Sequence, residues 1–354
     1  NAIILIKIIF YFKFFFYNVL FIIMNNNFLD QTNFSYSIED RYSSQLRGAE
    51  NILINYSLEL SKLGNYVTVY NNCKTNYTKF KNLNWFNLES INKKNKPSFD
   101  IAIANGDCRL LDRIVATKKF VISYSLQSIE KFIRKGQLIS YIKNKPIYLL
   151  LGKYHSENRS KILSLYGKKI IKIAIDDIFI NSLQSNNPDN NLAIFTSRPD
   201  RNMNILIDIW KNYIHPKNKN AKLLLTPRIE PLPENYNMSF RKMLNKNQLI
   251  NTVSKSRLIL LPGHKAELFC LAAEEAKELC IPIITLGIGS LKERVEHGKT
   301  GFIAKNKFEF AEYTNNLFKD DILYNDIKKN LYNLKGSKTW NTVTKDFMNI
   351  LNNS

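Results

Sequence analysis

The sequence of 354 residues has few cysteines and histidines, which excludes several kinds of site. No two of its four cysteines have the C-x-x-C spacing of a zinc site or redox motif, and no carboxylates and histidines are spaced as metal ligands. A chain of this length also needs no disulfides for stability. We therefore expect reduced, buried thiols in a cytosolic protein that holds no metal and no cofactor. The cysteines are Cys73, Cys108, Cys270 and Cys280.

Acidic residues are scarce: 30 aspartates and glutamates face 51 lysines and arginines, for a net charge of +21. Such an excess favours nucleic acid, an anionic membrane surface or acidic substrates as partners. An AT-rich genome, which enriches lysine, asparagine and isoleucine, explains it equally well. No recognisable nucleic-acid motif and no array of basic and aromatic residues is present, so we expect no nucleic-acid partner. A hydrophobic content of 45% indicates a globular protein.

Residues 1–23 are nearly all apolar, and the first methionine is Met24. The segment allows three interpretations: translated upstream sequence, a membrane anchor, or a first buried strand at 19–23. Its length suffices to span a bilayer, but Lys13 near its middle is costly there. No small-residue cleavage site follows, which argues against a secretory signal. We favour a non-native leader over residues 1–17.

Short apolar runs alternate with helical patterns along the rest of the chain, which predicts βαβ units and parallel sheets. The polar stretch 181–191 reads as a linker, and the same pattern restarts after it. We predict two Rossmann-like domains, at 18–180 and 190–335, that face each other across a cleft. The amphipathic segment 336–354 is predicted to be a C-terminal helix that packs back on the first domain.

The stretch 258–304 has the most specific chemistry. A buried strand ends at Pro262–Gly263, and a loop then places Glu267 at the start of a helix. Glu275 lies eight residues further on, a little over two turns, and therefore points from a similar face. Two such carboxylates can accept hydrogen bonds from the vicinal hydroxyls of a sugar and a ribose. Backbone N–H groups at 269–271 would form an anion site for a diphosphate at the helix N-terminus.

This stretch resembles the family 4 glycosyltransferases, which have the GT-B fold. Their signature of two glutamates separated by seven residues stands here as E267-L-F-C-L-A-A-E-E275, followed by C280-I-P-I-I, E293-R-V and G298-K-T-G301. The resemblance implies that Glu267 faces the donor sugar and that Glu275 holds the ribose. It also implies that the backbone of Phe269, Cys270 and Leu271 receives sugar and phosphate oxygens. Cys270 replaces the glycine usual in this family.

Two further segments match the family less closely. In 194-IFTSRPDRNMN, Arg198 and Arg201 take the basic positions that would stabilise the leaving diphosphate. In 47-RGAE, Arg47 replaces the first glycine of a Gly-Gly-Ala-Glu loop, and Gly48 would let the backbone approach the donor. Many relatives have a histidine at the end of a first-domain strand, whereas 119-KFVISYSLQS has none. Of the four histidines, His264 is the candidate for the site, and the others read as surface residues.

The resemblance implies a retaining glycosyl transfer from a nucleotide-sugar donor to a glycan or lipid-linked acceptor. No D-x-D motif is present, so we expect a metal-independent enzyme. Polysaccharide or lipopolysaccharide synthesis is the family-level expectation, either free in the cytoplasm or peripherally on the inner face of the cytoplasmic membrane. A non-catalytic nucleotide-sugar binder and, less favoured, a basic nucleic-acid-binding protein are the rival hypotheses.

Overall fold

The computed structural model describes residues 23–42, 46–185 and 188–354, which form two α/β domains. In both domains, short buried strands form a mainly parallel sheet between helices, as the alternating pattern predicts. The side-by-side parallel strands place their carboxyl ends, and the loops that follow, on one edge of each sheet. None of the helices in these ranges is both long enough and apolar enough to span a membrane.

The first domain contains an eight-stranded sheet with the order β3-β4-β2-β1-β5-β6-β7-β8, in which only β3 runs antiparallel to its neighbour. Its strands are β1 (Asn25–Leu29), β2 (Tyr66–Asn71), β3 (Tyr77–Phe80), β4 (Leu83–Asn87), β5 (Ser98–Asn105), β6 (Val115–Ile122), β7 (Ile147–Leu150) and β8 (Lys168–Ile170). Its helices are α1 (Gly48–Lys62), α2 (Ile129–Arg134), α3 (Gln137–Asn144), α4 (Lys153–Asn158) and α5 (Asp177–Ile180).

The second domain contains a six-stranded parallel sheet with the order β11-β10-β9-β12-β13-β14. Its strands are β9 (Asp189–Ile194), β10 (Lys222–Leu225), β11 (Met238–Phe240), β12 (Ser256–Gly263), β13 (Ile283–Ile288) and β14 (Gly301–Ile303). Its helices are α6 (Met203–Ile209), which continues as a π-helical turn, α7 (Lys246–Val253), α8 (Leu271–Glu278), α9 (Lys307–Lys319) and α10 (Asp321–Leu334). Every residue of β12 is buried, as expected of a central parallel strand.

The last helix, α11 (Trp340–Asn352), packs on the first domain, which confirms the sequence prediction. Its buried face, which includes Trp340 and Phe347, lies against Tyr56 of α1, with ring centroids 5.3 Å and 4.1 Å from that of Tyr56. The sequence favours a helix here because Thr339 caps it and its apolar residues recur at helical spacing.

The first strand of the described residues was not predicted from the sequence. The strand that one interpretation put at 19–23 lies outside the described residues except for Ile23, and β1 begins at Asn25. Asparagine is rare in strands, which hid this one. Asn26 and Asn27 are nevertheless buried, and their side-chain amides donate to the carbonyl oxygens of Met24 (3.1 Å) and Thr68 (3.0 Å). Similarly, the expected linker at 181–191 is shorter, because β9 begins at Asp189.

Candidate active site

A cleft of about 540 Å³ lies between the two domains, and residues from both line it. The second domain contributes Arg198, Arg201, Glu267, Glu275 and the backbone segment 269–272, together with Thr196, Ser197, Ala266 and Leu268. The first domain contributes Leu46, Gly48, Ala49, Ile52, Tyr124 and Leu151. The structure thus brings together the residues that the sequence assigned to the site, except Arg47 and His264.

The loop that presents Glu267 is held on both sides. The backbone N–H of Glu267 donates to the carbonyl of His264 at 2.9 Å, and its own carbonyl accepts from the N–H of Ser290 at 2.9 Å. Gly289 lies so close that a Cβ there would be 2.3 Å from the His264 oxygen. Only glycine therefore fits at 289, and the Gly-Ser turn fixes the position of the carboxylate in the cleft.

Glu267 forms an ion pair with Arg201, with Nε 3.3 Å from Oε2, and both side chains are about one-fifth exposed. Burial raises the pKa of Glu267, whereas Arg201 and the backbone N–H of Cys270 lower it. Asp200 binds Arg201 at 3.0 Å and also pairs with Arg198, whose side chain is 71% exposed. Arg201 is thus the arginine held inside the cleft, and Arg198 lies at its rim.

Glu275 projects from the second turn of α8, whereas Glu267 precedes the helix. Burial raises the pKa of Glu275 to about 7, and the nearby charges of Lys246 and Arg241 act in the opposite direction. Lys246 itself binds the buried carboxylate of Asp176, at the end of the first domain. Glu275 is therefore a protonatable group at neutral pH, with two cations close to it.

Asp176 and Lys246 are the members of this neighbourhood that sequence reasoning missed. Asp176 belongs to an Asp176–Asp177 pair, is 3% exposed and links the two domains through Lys246. The position of the pair, directly after the last apolar run of the first domain, was the available signal. Lys246 had none, because one lysine among many in this chain does not stand out.

Cys270 occupies the N-cap of α8 with a left-handed backbone conformation, at φ 61° and ψ 78°. An L-residue with a Cβ is strained there, and glycine is not. This geometry explains the glycine that the family has at this position. The cysteine side chain is buried, and its thiol has a pKa well above the ordinary value because of that burial.

We expect Cys270→Gly to have a higher free energy of unfolding than Cys270→Ala, by about 1 kcal/mol. Both variants lose the sulfur, but only glycine relieves the left-handed strain. Urea denaturation of the two variants measures the difference. Equal midpoints would show that the strain at residue 270 does not affect stability.

The first domain meets α8 directly at the cleft. A Cβ at Gly48 would lie 3.0 Å from Cδ1 of Leu271, so the start of α1 and the start of α8 nearly touch. Arg47 does not line the cleft, contrary to prediction; its guanidinium lies 5.5 Å from the ring centroid of Phe34. That cation–π contact holds the Arg47 side chain against Phe34.

A bridge on the other side of α8 joins the domains through Glu293. Its carboxylate accepts from the backbone N–H groups of Lys153 (3.0 Å) and Tyr154 at the start of α4. Gly152 leaves room for this contact, because a Cβ there would be 2.7 Å from a Glu293 oxygen. Glu293 also pairs with Arg294, whose guanidinium lies 4.4 Å from the ring centroid of Phe269.

The histidines differ from the sequence interpretation. His155 and His215, expected at the surface, are buried. Desolvation lowers the pKa of His155 to about 4, so this side chain is neutral at physiological pH. His264 accepts a hydrogen bond from the N–H of Ala266 at 3.0 Å and does not line the cleft. Tyr124, which follows β6 in the segment 119–128 that has no histidine, lines the cleft.

In the part of the chain that the structure describes, no three histidine, cysteine or carboxylate side chains lie close enough together to hold a metal ion. The positive charge in the cleft comes from Arg198, Arg201 and the N-terminus of α8.

Comparison with solved structures identifies the fold. Sucrose-phosphate synthase from Thermosynechococcus elongatus superimposes with a TM-score of 0.68 at 12% identity, over 93% of this chain and 98% of that one. HepE from Anabaena, in complex with UDP, gives 0.65 at 15% identity, over 94% and 100%. WaaG, a glycosyltransferase involved in lipopolysaccharide biosynthesis, gives 0.63 at 10% identity, over 93% and 100%. The chain has the GT-B fold.

Residues 189–334 match the family model described as glycosyl transferases group 1. The match covers the second domain, which holds Glu267 and Glu275, and extends over less than half of the chain. A search of curated proteins by sequence finds no significant match.

Proposed function

We propose that this protein is a retaining glycosyltransferase of family 4 that moves a sugar from a nucleoside diphosphate to an acceptor hydroxyl. The main support is that Glu267, Glu275, Arg201 and the first turn of α8 face one cleft between two Rossmann-like domains. Two carboxylates for hydroxyls, beside cations and backbone N–H groups for a diphosphate, match the chemistry of a nucleotide sugar.

In the proposed reaction, the bond between the anomeric carbon and the diphosphate oxygen breaks, and the electron pair leaves with the diphosphate. Arg201 and the N–H groups at the start of α8 stabilise the developing charge, with Arg198 at the rim. The acceptor hydroxyl then forms the new bond from the same face of the sugar. Its proton passes to a phosphate oxygen of the leaving group, so no protein base is needed.

Glu275 is proposed to accept hydrogen bonds from the ribose hydroxyls, and Glu267 to hold the donor sugar. The pairing of Glu267 with Arg201 supports this, because one carboxylate then orients both the sugar and the cation beside the phosphate. HepE, a structural neighbour, is described in complexes with UDP and UDP-glucose. A uridine nucleotide is therefore the first donor to test. No metal and no cofactor enters this proposal.

The acceptor is proposed to be a glycan or a lipid-linked sugar, in polysaccharide or lipopolysaccharide synthesis. WaaG, a structurally similar glycosyltransferase, is involved in lipopolysaccharide biosynthesis. A cytoplasmic protein that binds the inner membrane surface peripherally would fit such an acceptor, and a net charge of +21 would favour that surface. We do not expect a nucleic-acid partner, since the cleft chemistry is accounted for by a nucleotide sugar.

Calorimetric titration with UDP, GDP and ADP, with and without EDTA, tests the donor site. We expect one nucleotide to bind selectively and EDTA to have no effect. Incubation with the matching nucleotide sugar, followed by NMR of the released or transferred sugar, tests the reaction and its anomeric outcome. Folded protein that binds none of the three nucleotides would contradict the proposal.

One observation favours a second candidate, a non-catalytic nucleotide-sugar binder. The strand end at 119–127 has no histidine, and Tyr124 takes the cleft-facing position. Selective nucleotide binding without any hydrolysis or transfer of the matching donor sugar would favour this candidate over the enzyme.

A further inference from the structure

Helix α3 buries a mostly polar face and exposes an apolar one, the reverse of an ordinary surface helix. Its buried residues are Gln137, Ser140, Tyr141 and Asn144, which are mostly polar. Its exposed residues include Leu138, Ile139 and Ile142, at 39%, 80% and 53% exposure. A surface helix of a globular protein normally buries its apolar face, so the solvent-facing isoleucines need an explanation.

The inward polar face is held by hydrogen bonds that fix the rotation of the helix. Ser140 and Asn144 both donate to the carboxylate of Asp112, the latter at 2.9 Å. Lys119 of β6 donates to Oδ1 of Asn144 at 2.8 Å. Rotating α3 to bury Ile139 would break these bonds and leave buried polar groups unpaired. The exposure of the apolar face is thus built into the fold.

The apolar face continues onto the neighbouring segments. The phenol of Tyr141 donates to the carbonyl of Ile162 (3.1 Å) and accepts from the N–H of Leu165 (2.8 Å), which holds the 161–165 segment beside α3. Ile162 and Leu165 are 60% and 72% exposed. We call the whole surface the α3 face; its apolar members are Ile133, Leu138, Ile139, Ile142, Ile162 and Leu165.

Basic residues outnumber acidic ones around the α3 face, although Asp112 pairs with Lys143 at 3.4 Å and Glu130 with Arg134 at 3.7 Å. Between 129 and 170 the only carboxylates are Glu130 and Glu157. The exposed basic residues are Lys131, Arg134, Lys135, Lys143, Lys145, Lys161, Lys168 and Lys169. An apolar surface rimmed by cations fits a layer that presents anionic groups above hydrocarbon, which is the interface of an anionic bilayer.

We propose that the α3 face docks this protein on an anionic lipid bilayer, with its isoleucines and leucines entering the interfacial region. This inference rests on the proposed function and gives it a location. The chain enters α2 five residues after Tyr124, which lines the cleft, so docking here would bring the cleft close to the membrane surface and to a lipid-linked acceptor.

Vesicle sedimentation of the full chain without nucleotide tests the docking independently of the donor site. Vesicles of phosphatidylcholine with one-third phosphatidylglycerol are compared with phosphatidylcholine alone. We expect binding to the anionic vesicles only, weakened at least tenfold in the double variant Ile139→Gln/Ile142→Gln. The matched control is Ile322→Gln on α10, which removes an isoleucine that is 78% exposed in the second domain.

A second pair of variants tests the basic residues around the α3 face. Lys131→Gln/Lys135→Gln is expected to weaken binding to anionic vesicles, since each basic residue near such a surface contributes roughly fivefold. Lys217→Gln/Lys219→Gln removes the same charge from the second domain and should leave binding unchanged. Nucleotide titration of each variant shows whether the donor site remains intact.

Three outcomes would overturn the proposal. Wild-type protein that does not bind anionic vesicles would exclude docking, even if it binds nucleotide normally. Equal binding of wild type and the Ile139→Gln/Ile142→Gln variant would place any anchor elsewhere. A dimer in sedimentation velocity that this variant dissociates would identify the α3 face as a contact between copies of the chain.

Discussion

Replacement of Arg201 by alanine is expected to lower kcat by about 100-fold to 1,000-fold. Arg201 is the partly buried cation of the cleft, 3.3 Å from Glu267, and no neighbouring arginine replaces it, because Arg198 lies at the rim. Loss of Arg201 removes charge stabilisation of the leaving diphosphate. It also removes the cation that lowers the pKa of Glu267, so the acid limb of the pH–rate profile should move to higher pH.

Arg109→Ala provides a matched control for this experiment. Arg109 also pairs with an aspartate, Asp107 two residues before it, but it lies in the first domain outside the cleft lining. Steady-state kinetics of both variants should show a large loss for Arg201→Ala and none for Arg109→Ala. A kcat for Arg201→Ala within twofold of wild type would contradict the assigned role.

Glu275→Ala is expected to weaken nucleotide binding by about 10-fold to 100-fold, the usual effect of losing a hydrogen bond to a charged group. Glu267→Ala should instead lower turnover more than nucleotide affinity, because its partner is the sugar. Calorimetry and kinetics of both variants separate the two roles. Glu312→Ala, an exposed carboxylate of α9, is the control for the change of charge. Identical losses in the two cleft variants would reject the assignments.

The raised pKa of Glu275 adds a pH dependence to this result. With a pKa of about 7, the side chain is protonated at pH 6 and ionised at pH 8. Only the carboxylate accepts hydrogen bonds from both ribose hydroxyls, so nucleotide affinity should rise from pH 6 to pH 8 in the wild type. Glu275→Gln should show a flat profile. A wild-type affinity independent of pH would show that ionisation of Glu275 does not control binding.

The raised pKa of Glu275 also predicts that its ionised side chain destabilises the folded protein. A carboxyl group whose pKa is higher in the folded than in the unfolded state contributes stability at low pH, and loses it as pH rises through the folded pKa. Glu275→Gln should therefore have a higher Tm than wild type at pH 8, with a smaller difference at pH 5. Thermal unfolding at the two pH values measures this. The carboxylate at this position thus favours function over stability.

The sequence identified candidate site residues where local structure alone sets their spacing. The eight-residue interval between Glu267 and Glu275 identified both cleft carboxylates, because the loop and the first turns of α8 are local structure. The strained backbone at Cys270 shows where the local rule is broken, and only the family pattern indicated that glycine belongs there.

Features that depend on distant contacts could not be read from the sequence. The strand β1 has three asparagines, and its burial makes sense only beside β2 and β5. Lys246 and Asp176 come from different domains, 70 residues apart. The rotation of α3 is set by Asp112 and Lys119, which lie outside the helix, so the pattern within the helix does not show which face is buried.

Helix α11 completes the hydrophobic core of the first domain. Met348 accepts a hydrogen bond from Asn65, 283 residues earlier, and Trp340 and Phe347 belong to the hydrophobic core around α1 and β2. During synthesis, a chain that has left the ribosome as far as residue 180 exposes the apolar surface that these side chains later cover. The first domain, although translated before the second, therefore completes its core only after α11 has been made.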